Sequence, residues 1–167
     1  HELLKNNLSE HEYKETIGSI KNSVLTAFYT PPVVPQILYA TLKEHGIEPQ
    51  RIYEPSSGAG IFITEAVKAF PAAQSITAVE KDILTGRVLA ALNSSLPVLV
   101  TTHITGFEQA PINDNGKYDL IVSNIPFGNF SVYDRTLPDK ELSGKIHNYF
   151  FAKGLEKIAG GGLLAVI

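Results

Sequence analysis

Read for the spacing of its apolar and polar positions, the chain changes character near residue 50. Before that point apolar residues recur at roughly helical intervals in a polar background. The stretch "ELLKNNLSEHEYKETIGSIKNSV" predicts one helix, with Ser9 as N-cap and Glu12 three positions on in a capping-box pattern. In "LTAFYTPPVVPQILYATLKEHGI", Thr30 followed by Pro31 predicts an N-cap and a first-turn proline. Val33, Val34, Ile37, Leu38 and Leu42 form the expected apolar stripe, and Gly46 the stop. Pro35 lies close enough to the start of that helix to be tolerated.

Beyond residue 50 strands and helices alternate. "RIYEP", "SITAVE", "PVLVTTHI", "YDLIVSN" and "GGLLAVI" predict five strands. Between them, "GIFITEAVKAF" (stopped by Pro71), "DILTGRVLAALNS" and "HNYFFAKGLEKIA" predict helices, the last with Tyr149, Phe150, Leu155 and Ile158 inward. His147 and Asn148 read as polar residues opening that helix, and Tyr149, Phe150 and Phe151 as core and pocket wall. Such alternation implies βαβ units: an α/β protein with a mostly parallel sheet and helices on both faces. One long irregular stretch remains, "GNFSVYDRTLPDKELSGK". Its length suits a functional lid or a mobile segment, and its mixed charges suit a solvated loop.

Composition narrows the class. At 167 residues, 44% hydrophobic and 19% charged, the chain is expected to form one ordinary domain. It has no Met, begins at His1 and ends on "GGGLLAVI", so a piece of a longer chain is expected. The absence of Cys excludes disulfides and thiolate metal sites, and the five His show no metal-ligand spacing, so no metal is expected. No apolar run approaches the ~18–20 residues that span a bilayer, and no signal peptide is visible. A cytoplasmic domain without a membrane partner is the expectation. The net charge of −3 argues against a strong non-specific grip on nucleic acid by this chain alone.

Two strand ends carry the candidate chemistry. "YEPSSGAGIF" leaves a strand and opens a helix, where a nucleotide-like ligand meets a doubly wound sheet. Gly58 and Gly60 permit close backbone approach, but neither a dinucleotide fingerprint nor a P-loop is present. Glu54 is placed to accept from an ammonium. Glu80 ends "TAVE", and an acid about 20 residues beyond such a turn bonds ribose hydroxyls. Adenosine plus an ammonium points to S-adenosylmethionine; the plainer reading is two strand-end carboxylates and a tight turn. At the fourth strand's end, "SNIPFG" offers the Asn124 side-chain oxygen and the Ile125 carbonyl as acceptors for an amine. Pro126 fixes the turn there, and Phe127 is a face on which a base can stack.

Together "EPSSGAGIF", "AVE" and "SNIPFG" resemble the class I S-adenosylmethionine-dependent methyltransferases. They are most similar to the group whose Asn/Asp-Pro-Pro-Tyr/Phe motif methylates amines. "FYTPP" resembles the N-terminal cofactor motif of N6-adenine DNA methyltransferases of the gamma arrangement, and the resemblance covers about Thr26 to Ile167. It implies a Rossmann-like fold with two further strands downstream. It divides the chain into an N-terminal helical segment (1–25) and an incomplete catalytic domain (26–167). Phe28, Tyr29, Thr30 and Pro31 would lie along the cofactor's methionine. Glu54, Pro55, Ser57, Gly58 and Gly60 would surround its amino-acid end, Glu80 and Lys81 its ribose. Asn124, Ile125, Pro126 and Phe127 would hold the target amine, with Asn124 also among the cofactor contacts and a duplex base flipped out to reach them.

Two departures stand out. Ile125 replaces the motif's first proline, for which a modest effect is expected. Gly106 takes the place of the Asp that binds the cofactor's adenine amine, leaving Phe107 and backbone groups for that task. Phe130 and Tyr133 either line the target entrance or sit on a plain surface loop. The resemblance implies DNA as substrate through a recognition domain elsewhere, and a bacterial, phage or mobile-element source. A glutamine- or guanine-directed methyltransferase and a non-catalytic module of a larger protein remain as alternatives.

Overall fold

The computed structural model describes residues 9–17, 30–137 and 139–167. Helix α1 (10–17) opens with the capping box anticipated at Ser9. The Glu12 carboxylate accepts from the Ser9 amide at 2.9 Å, and the Ser9 hydroxyl accepts from the Glu12 amide at 3.3 Å. The rest of the first predicted helix lies outside the described residues, as do Phe28 and Tyr29.

Helix α2 spans Val33–Glu44 and differs from expectation in two respects. Its N-cap is Pro32, with no side-chain cap, and the Thr30 hydroxyl is engaged elsewhere. Its buried face is Pro35, Tyr39 and Leu42, while Val33 and Ile37 are exposed. Pro35, Leu38, Tyr39 and Leu42 follow a helical stripe in which a proline and a tyrosine replace more obvious apolar residues. The C-terminus closes as a Schellman motif on Gly46 (φ +72°): Gly46 N–H donates to Lys43 O at 2.9 Å and Ile47 N–H to Leu42 O at 2.9 Å.

Then β1 (Arg51–Glu54), α3 (Ile61–Ala69), β2 (Ser75–Glu80), α4 (Ile83–Asn93), β3 (Leu99–Ile104) and β4 (Tyr118–Ser123) follow in turn. The chain ends through α5 (Lys140–Ser143), α6 (Ile146–Lys157) and β5 (Ile158–Val166). The five strands form one parallel sheet in the order β3-β2-β1-β4-β5. Strand residues alternate between two cores. Ile52, Ile76, Leu120 and Val122 face α2, α3 and α4, whereas Tyr53, Val79 and Ile121 face α6. Burial on both faces is why these strands read as continuous apolar runs.

The "GGG" of β5 is a bulge. Tyr118 pairs with Ile158 but Leu120 with Leu163, so the intervening glycines loop out. Gly161 takes φ +84°, and a Cβ on Gly162 would lie 2.9 Å from Tyr118 O. The strand therefore starts three residues before "GGLLAVI", and Ile158 belongs to it and not to the helix. On α6, Tyr149 and Phe150 are buried as expected, but Phe151 and Leu155 are exposed. Their places in the stripe are filled by Lys153 and Lys157, both 0% exposed.

Candidate functional site

The strand order reverses between β1 and β4, and a parallel sheet opens a crevice at the carboxyl ends of its strands at such a point. Glu54 ends β1 and Asn124 follows β4, whose Ile121 pairs with Tyr53. The two predicted sites therefore share one crevice.

The glycine turn is anchored before it reaches α3. Ser57 N–H donates to Val79 O at 2.8 Å, and the Ser57 hydroxyl donates to Glu54 O at 3.2 Å. Gly60 N–H closes the turn on Ser57 O at 2.8 Å. Gly60 is the N-cap of α3 at φ +81°, and a Cβ there would stand 2.5 Å from Leu89 Cδ1. Gly58, at φ +52°, has open space where a Cβ would be. The first glycine leaves the crevice clear, and the second permits the turn to pack.

Glu54 is 2% exposed, and its Oε2 is buried without a hydrogen-bond partner. Burial, with the Glu80 charge adding to it, pushes its carboxyl well above the ordinary range. Glu80 accepts from Gly58 N–H and Asp82 N–H, each at 2.7 Å. Its carboxyl is also raised by burial, against these hydrogen bonds. Across the crevice, Asn124 Nδ2 donates to the Thr30 hydroxyl at 3.0 Å, while Asn124 Oδ1 is buried without a partner. Thr30 thus orients the amide whose oxygen was expected to receive an amine. Tyr53 Oη and Ser123 Oγ are likewise buried and unpartnered, at positions that face the other side of the sheet.

The other motif residues divide. Ile125 is buried in the α6-side core, and its N–H donates to Ile167 O at 3.0 Å, tying β4 to β5. A proline could not make that bond. Pro126 is half-buried and Phe127 is 59% exposed at the mouth, with Phe130 and Tyr133 exposed in the same loop. Pro31 is exposed ahead of α2 and Pro55 is buried in the glycine turn.

Phe107 is not available to a base. Its ring is packed against Tyr53, Tyr149 and Phe150, with centroids 5.9, 5.9 and 5.2 Å away. The sequence reading missed Glu108. Its carboxylate folds back over Gly106, with Oε1 only 2.2 Å from where a Gly106 Cβ would lie. Lys81, exposed, holds it at 3.2 Å. The signal was an acid two residues past a glycine. Among the described residues no cluster of His, Asp or Glu could hold a metal, and no helix is long and apolar enough to cross a membrane.

The segment expected to be solvated is exposed over most of its described residues but anchored at Asp134. Asp134 is 4% exposed and accepts from Lys153 Nζ at 2.8 Å and the Tyr149 hydroxyl at 2.7 Å. Nearby, Lys157 donates to Asp114 and to Pro111 O, and lies 5.7 Å from the centre of the Tyr53 ring.

No protein-family model matches the chain. It is 30% identical over 154 residues to defense against restriction protein B of Escherichia phage P1, covering 90% of this chain and 6% of that protein. Among solved structures it resembles a Listeria monocytogenes protein assigned to the class I S-adenosylmethionine-dependent methyltransferases (TM-score 0.66, 17% identity, 95% of this chain and 54% of that one). An S-adenosylmethionine-dependent O-methyltransferase from Thermotoga maritima gives 0.59 and 18%, over 90% and 49% of the two chains. Trm1 from Pyrococcus horikoshii, in complex with S-adenosyl-L-methionine, gives 0.61 and 13%, over 83% and 37%. The chain thus has the Rossmann-like fold of class I methyltransferases, and it spans about half the length or less of these relatives.

Proposed function

We propose that this chain is an S-adenosylmethionine-dependent methyltransferase domain acting on the exocyclic N6 amine of adenine in DNA. The observation that carries this reading is a pair of buried, unpartnered acceptors, Glu54 Oε2 and Asn124 Oδ1, at the ends of adjacent strands. A buried acceptor without a donor is costly, and a ligand that brings donors relieves that cost. Glu54 fits the cofactor's ammonium, Gly58 leaves room beside it, and Glu80 is positioned for the ribose hydroxyls. Glu108, which follows β3, is the residue that would accept from the cofactor's adenine amine.

When bound, S-adenosylmethionine supplies an electrophilic methyl group. The chain's own task is then orientation. Asn124 Oδ1 and the Ile125 carbonyl accept the two amine hydrogens, so that the nitrogen lone pair points at the cofactor side. Phe127 lies under the base. Orientation and exclusion of water account for most of the rate in this scheme, and no strong general base is required. The likeness to a phage restriction-defence protein favours DNA over RNA or protein as the acceptor.

The test is methyl transfer to an adenine-containing DNA oligonucleotide, read by mass spectrometry, with an RNA of the same sequence and a glutamine peptide beside it. N6-methyladenine in the DNA, reduced at least ~100-fold by Asn124→Ala and by far more than any accompanying loss of cofactor affinity, is the expected result. Transfer only to RNA or peptide, or transfer untouched by Asn124→Ala, would overturn the assignment.

A further inference from the structure

We propose that Asp134 is the positioning residue for the acceptor side of the site, acting with Lys153 and Tyr149. Together they fix the loop after Phe127 and the aromatic wall it carries. The proposal rests on the methyltransferase reading above and adds to it a residue outside every motif.

The loop could have been left to solvent, but it is fastened along its length. Near its start the Phe130 ring lies over Gly128, so close that a Cβ there would meet Phe130 Cε1 at 2.6 Å. In its middle Val132 N–H donates to Ser143 O at 3.1 Å. At its far end Asp134 collects four donors: Lys153 Nζ at 2.8 Å, the Tyr149 hydroxyl at 2.7 Å, and the Thr136 amide and hydroxyl at 2.7 Å each. Lys153 also donates to the Thr136 hydroxyl at 2.6 Å. Leu137 then enters the same core as Ile125, Tyr149 and Phe150, so motif and latch share one packed cluster.

A buried ion pair is a poor device for stability, since a well-packed apolar pair would serve as well, but it demands one geometry. What it holds here is the loop that carries Phe127, Phe130 and Tyr133, exposed aromatic side chains that follow Asn124 in the chain. The carboxylates assigned to the cofactor lie on β1, on β2 and after β3, and none of them hydrogen-bonds Asp134 or Lys153 among the described contacts. The hydrogen bonds of Asp134 and Lys153 therefore stop short of those carboxylates. The Tyr149 ring does pack against Phe107, next to Glu108, so Asp134 and Lys153 are the residues to change, with Tyr149 left in place.

The chain has no Trp, so Tyr133→Trp places a single reporter in the loop. In that background Asp134→Asn is compared with Asp134→Asn/Lys153→Met, which leaves no buried charge unpaired and guards against simple unfolding. The double variant is expected to keep its circular dichroism and to bind S-adenosylmethionine within about twofold of the parent. Its Trp anisotropy is expected to fall, and KM for an adenine-containing oligonucleotide to rise roughly tenfold or more with a smaller change in kcat. Anisotropy and KM unchanged in the double variant would overturn the proposal. So would cofactor affinity falling in step with KM, which would mark the pair as merely structural. Failure of the underlying reading shows differently: the parent chain itself would neither bind the cofactor nor transfer a methyl group, and this proposal would fall with it.

Discussion

At the scale of single residues the site is defined by what lacks a partner. Glu54 is sequestered with one oxygen unpaired and its carboxyl raised by burial. Because the folded chain holds this proton where the unfolded chain has released it, stability falls as pH rises above the unfolded carboxylate range of about 4.5. Glu54→Gln removes that titration. The variant is expected to melt higher than the parent at pH 7–8, with the difference shrinking toward pH 4, while cofactor binding is lost. A wider difference at low pH would contradict the assigned direction. Ile125 makes a second case. Restoring the motif's proline deletes the N–H that bonds Ile167 O, an acceptor on an exposed residue that water can then reach, so Ile125→Pro is expected to cost about 0.5–1.5 kcal/mol. Thermal melting would show this as a fall of a few degrees, and an unchanged or higher midpoint would refute it.

At the scale of elements, legibility followed the chemistry of burial. β2 was readable to the residue because "SITAVE" is buried on both faces and bounded by turn residues. The turns after β1 and β4 were readable as strand ends because Gly, Pro and Asn break an apolar run. α2 was misread because its core face is built from Pro35 and Tyr39, while the obvious apolar residues Val33 and Ile37 face solvent. α6 was misread for the opposite reason. Its stripe runs Ile146, Tyr149, Phe150, Lys153, Gly154, Lys157, and a lysine in a stripe reads as surface until its partner is found. Asp114 and Asp134 are those partners, 43 and 19 residues away in sequence, and nothing local pairs them. Removing one partner of a buried pair is expected to cost about 3–5 kcal/mol, and Lys157→Met belongs toward the lower end because Asp114 keeps some access to water and the Tyr118 hydroxyl. Chemical denaturation would measure it. A change under ~1 kcal/mol would mean that Lys157 is not held as described.

At the scale of the whole molecule the sheet order places everything else. β1 and β4 are neighbours that send their connections opposite ways, so the glycine turn and the Asn-Ile-Pro-Phe turn open on one crevice. The cofactor half is assigned to β1, β2 and Glu108, the acceptor half to β4 and the latched loop. Gly106 was the weakest point of the sequence reading. The Glu108 carboxylate folds back to the position a side chain on residue 106 would have had, which is what the proposal for the adenine end rests on.

The central claim is that the Glu54 crevice receives an ammonium-bearing adenosyl cofactor, and its most direct test is calorimetric. S-adenosylmethionine would be titrated into the 167-residue chain and into Glu54→Gln, at one pH in two buffers of different ionisation heat. Pairing the ammonium with Glu54 drives off the proton that burial holds there. Binding to the parent should therefore release protons and give a buffer-dependent enthalpy, and both effects should vanish in Glu54→Gln. No binding to the parent, or equal binding to the variant with no proton release in either, would contradict the account.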